Sequence, residues 1–270
     1  MRHWFHILVL AVLPTANLAA DAALQRLETT EAGRGWEAVG RLDINGMGFC
    51  TGALIAPNLV LTAAHCLFDK SSMARIDNSR IEFLAGWRNG RASAYRYVRR
   101  AVVHPDYVFN GDVSPERVRN DVALLELQQP IRNTTVTPFE TAPRPRKGDK
   151  VGVVSYAQDR ANAPSLQQVC AVMARQQGVL VMSCDVDFGS SGAPIFSFDG
   201  GVPRIVSVVS AKAEVQGNSV ALGTSLDAPL ALLRAELAAG KGFDQTQPPL
   251  AGRVVVGGLR NNTGAKFIKP

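Results

Sequence analysis

GFCTGALIAPNLVLTAAHC (residues 48–66) holds two short apolar runs, 48–55 and 58–62, parted by a Pro-Asn break and ending in a histidine beside a cysteine. Runs of the same kind recur along the chain. They are IEFLAGW (81–87), DVALLEL (121–127), KVGVVSY (150–156), QQVCAVM (167–173), GVLVM (178–182), APIFSF (193–198) and RIVSVVSA (204–211). Stretches of four to eight residues, rich in β-branched side chains and bounded by Gly, Pro, Asn or Asp, are the mark of an all-β barrel or sandwich. AYRYVRRAVVH (94–104) mixes apolar and polar positions as a one-sided strand does. Helical periodicity is clear only in SLDAPLALLRAELAAG (225–240), where Asp227 can cap and Gly240 can stop the helix. The Pro- and Thr-rich segment 133–149 divides the strands into a first part, about 36–132, and a second, about 150–224. It reads as the connection between two β-barrels. After the helix, residues 241–270 read as a basic extension punctuated by Gly and Pro.

The first twenty residues, MRHWFHILVLAVLPTANLAA, combine a short basic start, an apolar stretch and small residues, the pattern of a secretory signal peptide. The apolar stretch is too short to span a bilayer, and no later stretch approaches about 18 apolar residues, so a soluble secreted or periplasmic protein is expected. The mature domain would then begin near residue 21. Four cysteines, Cys50, Cys66, Cys170 and Cys184, suit two disulfides in an exported chain. Three pairings are formally possible; the local one, Cys50 with Cys66 and Cys170 with Cys184, closes two short loops and is the expected one. Cys-x-x-Cys spacing is missing and histidines are scarce, so neither a metal nor another cofactor is expected. The net charge of +6 comes from dispersed basic residues without interleaved aromatics. It reads as a solvated basic face, with no nucleic acid partner expected.

Once the leader is removed, two histidines remain, His65 and His104. His65 ends an apolar strand at small residues; alone it would more often be a satisfied buried polar group than a base. Asp121 opens an apolar stretch in NDVALLEL (120–127), and alone reads as a turn or strand-edge residue. DFGSSGAPIF (187–196) is more specific. Gly189 and Gly192 bracket two serines in a tight turn, the setting in which a serine hydroxyl is exposed and backbone N–H groups converge on one point.

The three segments occur in the order His, Asp, Ser in a β-rich chain whose cysteines flank two of them. TAAHC, NDVALLEL and GSSGAP resemble the trypsin/chymotrypsin family of serine endopeptidases over roughly residues 36–240. That resemblance implies two six-stranded antiparallel β-barrels packed side by side, a C-terminal helix, and an active site in the cleft between the barrels. It implies His65 as general base, Asp121 as its orienting acid and Ser191 as nucleophile, with the N–H groups of Gly189 and Ser191 as the oxyanion hole. It also implies polypeptide substrates and a monomer. His104, in VVHPDY, resembles a solvent-facing loop and ranks below His65 as the base.

The sequence departs from the animal enzymes at Ser190, where they carry Asp, and no Ile-Val-Gly-Gly start follows a basic residue between 21 and 45. In both respects the chain resembles the bacterial branch that includes glutamyl endopeptidases, and no charge-pair activation switch is expected. Counting back from Ser191, Asp185 falls where trypsin places the acid that selects Arg and Lys. VVSAK (208–212) resembles the segment that lines the specificity pocket and pairs with substrate. There Val209 would form the wall, Ser210 would support Asp121, and Ala211 and Lys212 would meet the substrate. Glutamyl endopeptidases carry His at the wall, so Val209 argues against glutamate specificity. The competing reading is a non-catalytic homologue that uses the same fold to bind a partner. An α/β-hydrolase fails on the order of its catalytic residues and on the absence of alternating helices.

Overall fold

A computed structural model describes residues 23–109, 113–143, 145–215 and 217–243. The signal-peptide reading and most of the proposed extension lie outside these residues. The chain begins with the two-residue strand β1 (Gln25–Arg26), then builds β2 (Val39–Ile44), β3 (Gly48–Ala56), β4 (Leu59–Thr62), β5 (Ile81–Ala85) and β6 (Ala94–Val103). A short helix, α1 (Pro115–Asn120), leads into β7 (Ala123–Leu127). These strands close into an antiparallel barrel in the order β2-β3-β4-β7-β6-β5. The second half contributes β8 (Lys150–Ser155), β9 (Ser165–Gln176), β10 (Val179–Met182), β11 (Pro194–Ser197), β12 (Arg204–Val215) and β13 (Asn218–Ser225), and ends in helix α2 (Asp227–Ala238). Here the order is β9-β10-β13-β12-β11-β8, and β8 pairs back onto β9 to close a second antiparallel barrel, while β1 adds to the start of β9.

Alternation puts one set of side chains inside each barrel. Leu42, Leu54, Leu61, Phe83 and Leu125 fill the first, and Val153, Leu180, Met182, Ile195 and Val206 fill the second. Full burial of each such side chain contributes about 1.5–3 kcal/mol relative to exposure. The first core runs on into the interface. Trp36, Phe139 and Phe196 pack edge to face there, with Trp36–Phe196 and Phe139–Phe196 centroids 5.1 and 4.8 Å apart. Tyr156, at the end of β8, is buried and its hydroxyl donates to the Trp87 carbonyl (2.9 Å) across that interface.

Besides the two-residue β1, two strands escape the apolar-run reading. In β2 (VGRLDI) and β13 (NSVALGTS) charge, polar residues and glycine interrupt the run. Gly223 is glycine because a Cβ there would sit 2.4 Å from Ser207 Oγ and 2.8 Å from Met182 Cε. Helix α1 was also not legible as apolar periodicity. It is set by local chemistry: the Ser114 side chain accepts from the Arg117 N–H, and Pro115 sits in the first turn. Helix α2 matches its expected span and buries Leu230, Leu233 and Leu237, but Leu226 is its N-cap, so Asp227 sits in the first turn instead of capping. A carboxylate there still meets the positive end of the helix. Gly240, at φ +80°, ends it as expected. The helix returns to the first barrel, where Arg100 donates to the Leu237 carbonyl (2.8 Å).

Candidate active site

Strand β4 delivers His65 on a single buried 3-10 turn, Ala64–Leu67. The disulfide Cys50–Cys66 ties that turn to β3, and Cys170–Cys184 crosses the second barrel, so the local pairing holds. Asp121 reaches His65 from the C-terminal end of α1, two residues before β7 begins. Its carboxylate is 1% exposed and accepts three hydrogen bonds. One oxygen takes the His65 backbone N–H (2.9 Å); the other lies 2.7 Å from His65 Nδ1 and also accepts from the Ser210 hydroxyl. A carboxylate can only accept here, so a proton resides on His65 Nδ1, and in the neutral imidazole Nε2 is the acceptor. Thr224 of β13 fixes the other side of this junction, its hydroxyl donating to the Val118 carbonyl (2.6 Å).

The loop that carries Ser191 is positioned mainly by its backbone. The Phe188 carbonyl accepts from the Gln158 N–H (2.7 Å), and the Ser190 carbonyl accepts from the Ala193 N–H (2.9 Å). In a planar trans peptide the N–H points opposite to the carbonyl. Anchoring those two carbonyls therefore fixes the directions of the Gly189 and Ser191 N–H groups. Gly189 has φ +97°, and a Cβ on it would meet the Phe49 ring at 2.4 Å. Gly192 has φ +74° and leaves no space at all: a Cβ would lie 2.0 Å from Thr62 Oγ1 and 2.5 Å from the Thr51 carbonyl oxygen. Both positions require glycine. Ser190 is fully buried; its hydroxyl donates towards the Tyr156 carbonyl and Ser155 Oγ, each 3.2 Å away.

Thr51, which the motif reading passed over, joins the two halves. Its N–H donates to the Ser191 carbonyl (2.8 Å) and its hydroxyl to the Gly189 carbonyl (2.8 Å). Its Oγ accepts from the Tyr156 N–H (3.1 Å), and its own carbonyl accepts from Thr62 (2.8 Å). The only trace in the sequence is a threonine within an apolar run; the structure places it at zero exposure.

His65 and Ser191 lie together in the wall of two adjoining cavities in the cleft. The larger, about 510 Å³, contains Phe49, Phe68, Phe188 and the Cys50–Cys66 bridge. The smaller, about 470 Å³, is lined by Val186, Asp187 and the consecutive residues Val209, Ser210, Ala211 and Lys212. Asp185 stands in neither wall. It is exposed, and its N–H donates to Gln167 Oε1 (2.7 Å) immediately after the disulfide-held Cys184. His104 is in another place again, on the turn after β6; it is buried, where a solvent-facing loop was expected, and its Nδ1 accepts from the Asp106 N–H (3.3 Å). Burial holds its pKa below the ordinary value, and Arg119 adds to the lowering against an opposing pull from Asp106. The one His/Cys/Asp/Glu cluster with metal-like spacing among the described residues is Cys50, His65 and Cys66, and its two sulfurs are bonded to each other. No helix among the described residues is long and apolar enough to cross a membrane.

Serine protease 23 of Mus musculus is 28% identical over 163 residues, which cover 54% of this chain and 42% of that protein. A glutamyl endopeptidase of Bacillus licheniformis is 26% identical over 153 residues, 56% of this chain and 46% of that protein. The matches thus span less than half the length of these curated relatives. A solved structure, Glu endopeptidase in complex with MPD, superposes with a TM-score of 0.66 over 82% of this chain and 98% of that one. At 18% sequence identity it speaks for the fold. The family model described as Trypsin matches residues 28–226, nearly the whole two-barrel body, and the chain belongs to the trypsin family.

Proposed function

We propose that this chain is an exported serine endopeptidase that cleaves polypeptides through an acyl-enzyme on Ser191. The observation that carries the reading is the buried Asp121 carboxylate against His65 Nδ1, at the end of a cleft wall that His65 shares with Ser191. With the proton held on Nδ1, the free Nε2 removes the Ser191 hydroxyl proton as the oxygen attacks the scissile carbonyl. It then returns that proton to the leaving amine. Asp121 keeps the ring in orientation and stabilises the imidazolium that forms. The N–H groups of Gly189 and Ser191 take the developing oxyanion, each such donor typically supplying about 3 kcal/mol of transition-state stabilisation. Water repeats the cycle on the acyl-enzyme.

Past Val208, β12 leaves its partner β11, and the edge formed by residues 210–212 is free of that strand while β13 holds the other edge. An antiparallel substrate strand fits there, bringing the acyl side of the substrate into the Val209–Lys212 cavity. Asp185, exposed and outside both walls, gives no support to selection of basic residues. Ser190, engaged with Ser155 and Tyr156, supports the absence of an ammonium-carboxylate switch. Two disulfides support an oxidising compartment, in line with the signal-peptide reading. All three residues of the proposed triad lie on one chain, so the chemistry needs no second copy.

A serine-directed fluorophosphonate probe tests the reading. Stoichiometric labelling of Ser191, lost in Ser191→Ala and nearly lost in His65→Ala, is the expected result. A folded protein that takes up no label would overturn it.

A further inference from the structure

Two clusters of cations stand outside the cleft, and they differ in what faces them. Arg99 and Arg100 both meet the Glu126 carboxylate, and their guanidinium carbons lie 5.7 and 5.4 Å from the Phe243 ring centroid. Arg100 also donates to the Leu237 carbonyl (2.8 Å). That cluster is answered within the first barrel. The second is not. Arg146, Lys147 and Lys150 follow one another through the turn that leads into β8, all exposed. Arg175, exposed near the end of β9, joins them by donating to the Pro145 carbonyl (3.3 Å). Among the described residues, none of these four cations forms an ion pair with a carboxylate.

The backbone holds this turn in place. The Gly148 N–H donates to the Val172 carbonyl (2.8 Å), the Val172 N–H donates to the Asp149 carbonyl (3.0 Å), and Lys150 pairs with Ala171. The acid of the turn, Asp149, uses its carboxylate to accept the Arg146 backbone N–H (2.7 Å). Residues opposite one another in an antiparallel pair share a face, as do alternate residues of one strand. Lys150, Met173 and Arg175 therefore stand together on the outside of the second barrel, beside Arg146 and Lys147. Like charges gathered on one fixed turn repel one another, and a bound anion relieves that repulsion. We propose that this face is a docking surface for a flexible linear polyanion bearing closely spaced sulfate or phosphate groups, which Arg and Lys bind through charge-assisted hydrogen bonds. Nucleic acid fits less well, because neither the turn nor β9 contains an aromatic residue on which a base could stack. A bilayer would find one exposed apolar side chain there, Met173. None of the four cations lines either cavity, so a docked polymer leaves the cleft open and the surface does not depend on the peptidase reading.

Fluorescence anisotropy with labelled heparin oligosaccharide and with labelled polyphosphate tests this. For four contacts, affinity for at least one probe should fall about a hundredfold between about 50 and 200 mM salt, through counterion release. The combined variant Arg146→Gln, Lys147→Gln, Lys150→Gln should lower the slope of log affinity against log salt by about three. Arg175 stays in place there because its bond to Pro145 holds the turn. A control variant, Arg26→Gln, Arg34→Gln, Arg204→Gln, removes the same net charge from ion-paired positions elsewhere and should keep the slope. The tighter of the two probes identifies sulfate or phosphate as the preferred group. Equal weakening in both variants would reduce the effect to net charge and overturn the docking surface. So would failure to bind either probe at the low end of that salt range, tighter binding of an oligothymidylate of equal charge, or binding confined to phosphatidylglycerol vesicles.

Discussion

The two halves of the site are held in place by different means. On the first-barrel side, His65 and Asp121 are fixed by side-chain hydrogen bonds: a buried carboxylate with three donors, one of them Ser210 reaching over from the second barrel. On the second-barrel side, Ser191 is fixed by the course of its backbone, through two glycines at positive φ and carbonyls tied to Gln158, Ala193 and Thr51. Side-chain positioning can be removed with the fold kept. Backbone positioning cannot, because the same contacts join the barrels. Chemistry and stability should therefore separate in the first half and fall together in the second.

Asp121→Asn should show the separation most strongly. The amide would offer an N–H to Nδ1, favour the wrong imidazole tautomer, and lower kcat by about 10⁴-fold while the melting temperature changes little. A retained kcat would break the comparison. Gly192→Ala is its counterpart. The left-handed backbone costs an Ala about 1–2 kcal/mol. The clash with Thr62 and the Thr51 carbonyl adds about 1–3 kcal/mol, so thermal stability and activity should drop together. Full stability with activity lost would show that the turn positions Ser191 without supporting the fold.

Thr51→Val sharpens the contrast, since it keeps shape and removes the hydroxyl that serves Gly189 and Tyr156. Denaturant unfolding should show a loss of about 1–3 kcal/mol, accompanied by lower kcat. Unchanged stability would remove Thr51 from the account. Ser210→Ala deletes one of three donors to Asp121; kcat should fall about tenfold, with a loss of stability of about 1.5–3 kcal/mol as for a hydrogen bond to a charged group. A fall in stability without a fall in kcat would contradict that role. The smallest effect belongs to His104. Its folded pKa lies below its ordinary value of 6.5, so as pH falls through that value the unfolded chain binds a proton that the folded chain refuses, and stability declines. His104→Gln should therefore lose less melting temperature than the wild type between pH 7 and 5.5. A steeper loss in the variant would reverse the sign.

What could be read from the sequence follows the same division. His65, Asp121 and Ser191 are legible only in combination, through the TAAHC, NDVALLEL and GSSGAP segments that resemble the trypsin family, and Ser210 comes from the same resemblance. The disulfides follow from closing short loops. Contacts that depend on two distant segments meeting left little local trace. Thr51 looks like one polar residue in a strand, and Lys70 and Phe188 are ordinary surface types until the cleft brings them within 5.7 Å. Asp185 was approached by counting along a loop whose course is set elsewhere, by the Cys170–Cys184 bridge and the Gln167 side chain. Strands β2 and β13 blur because glycine is required where neighbouring side chains crowd the backbone, at Gly40 against Phe83 and at Gly223 against Ser207.

On the peptidase reading a base held by Asp121 activates Ser191 beside two fixed amides. Pre-steady-state release of the alcohol from an activated ester measures this directly. A burst of one equivalent per chain is expected, with mass spectrometry placing the acyl group on Ser191, no burst in Ser191→Ala and a burst slowed by orders of magnitude in His65→Ala. An undiminished burst in either variant, or an acyl group on another residue, would contradict it.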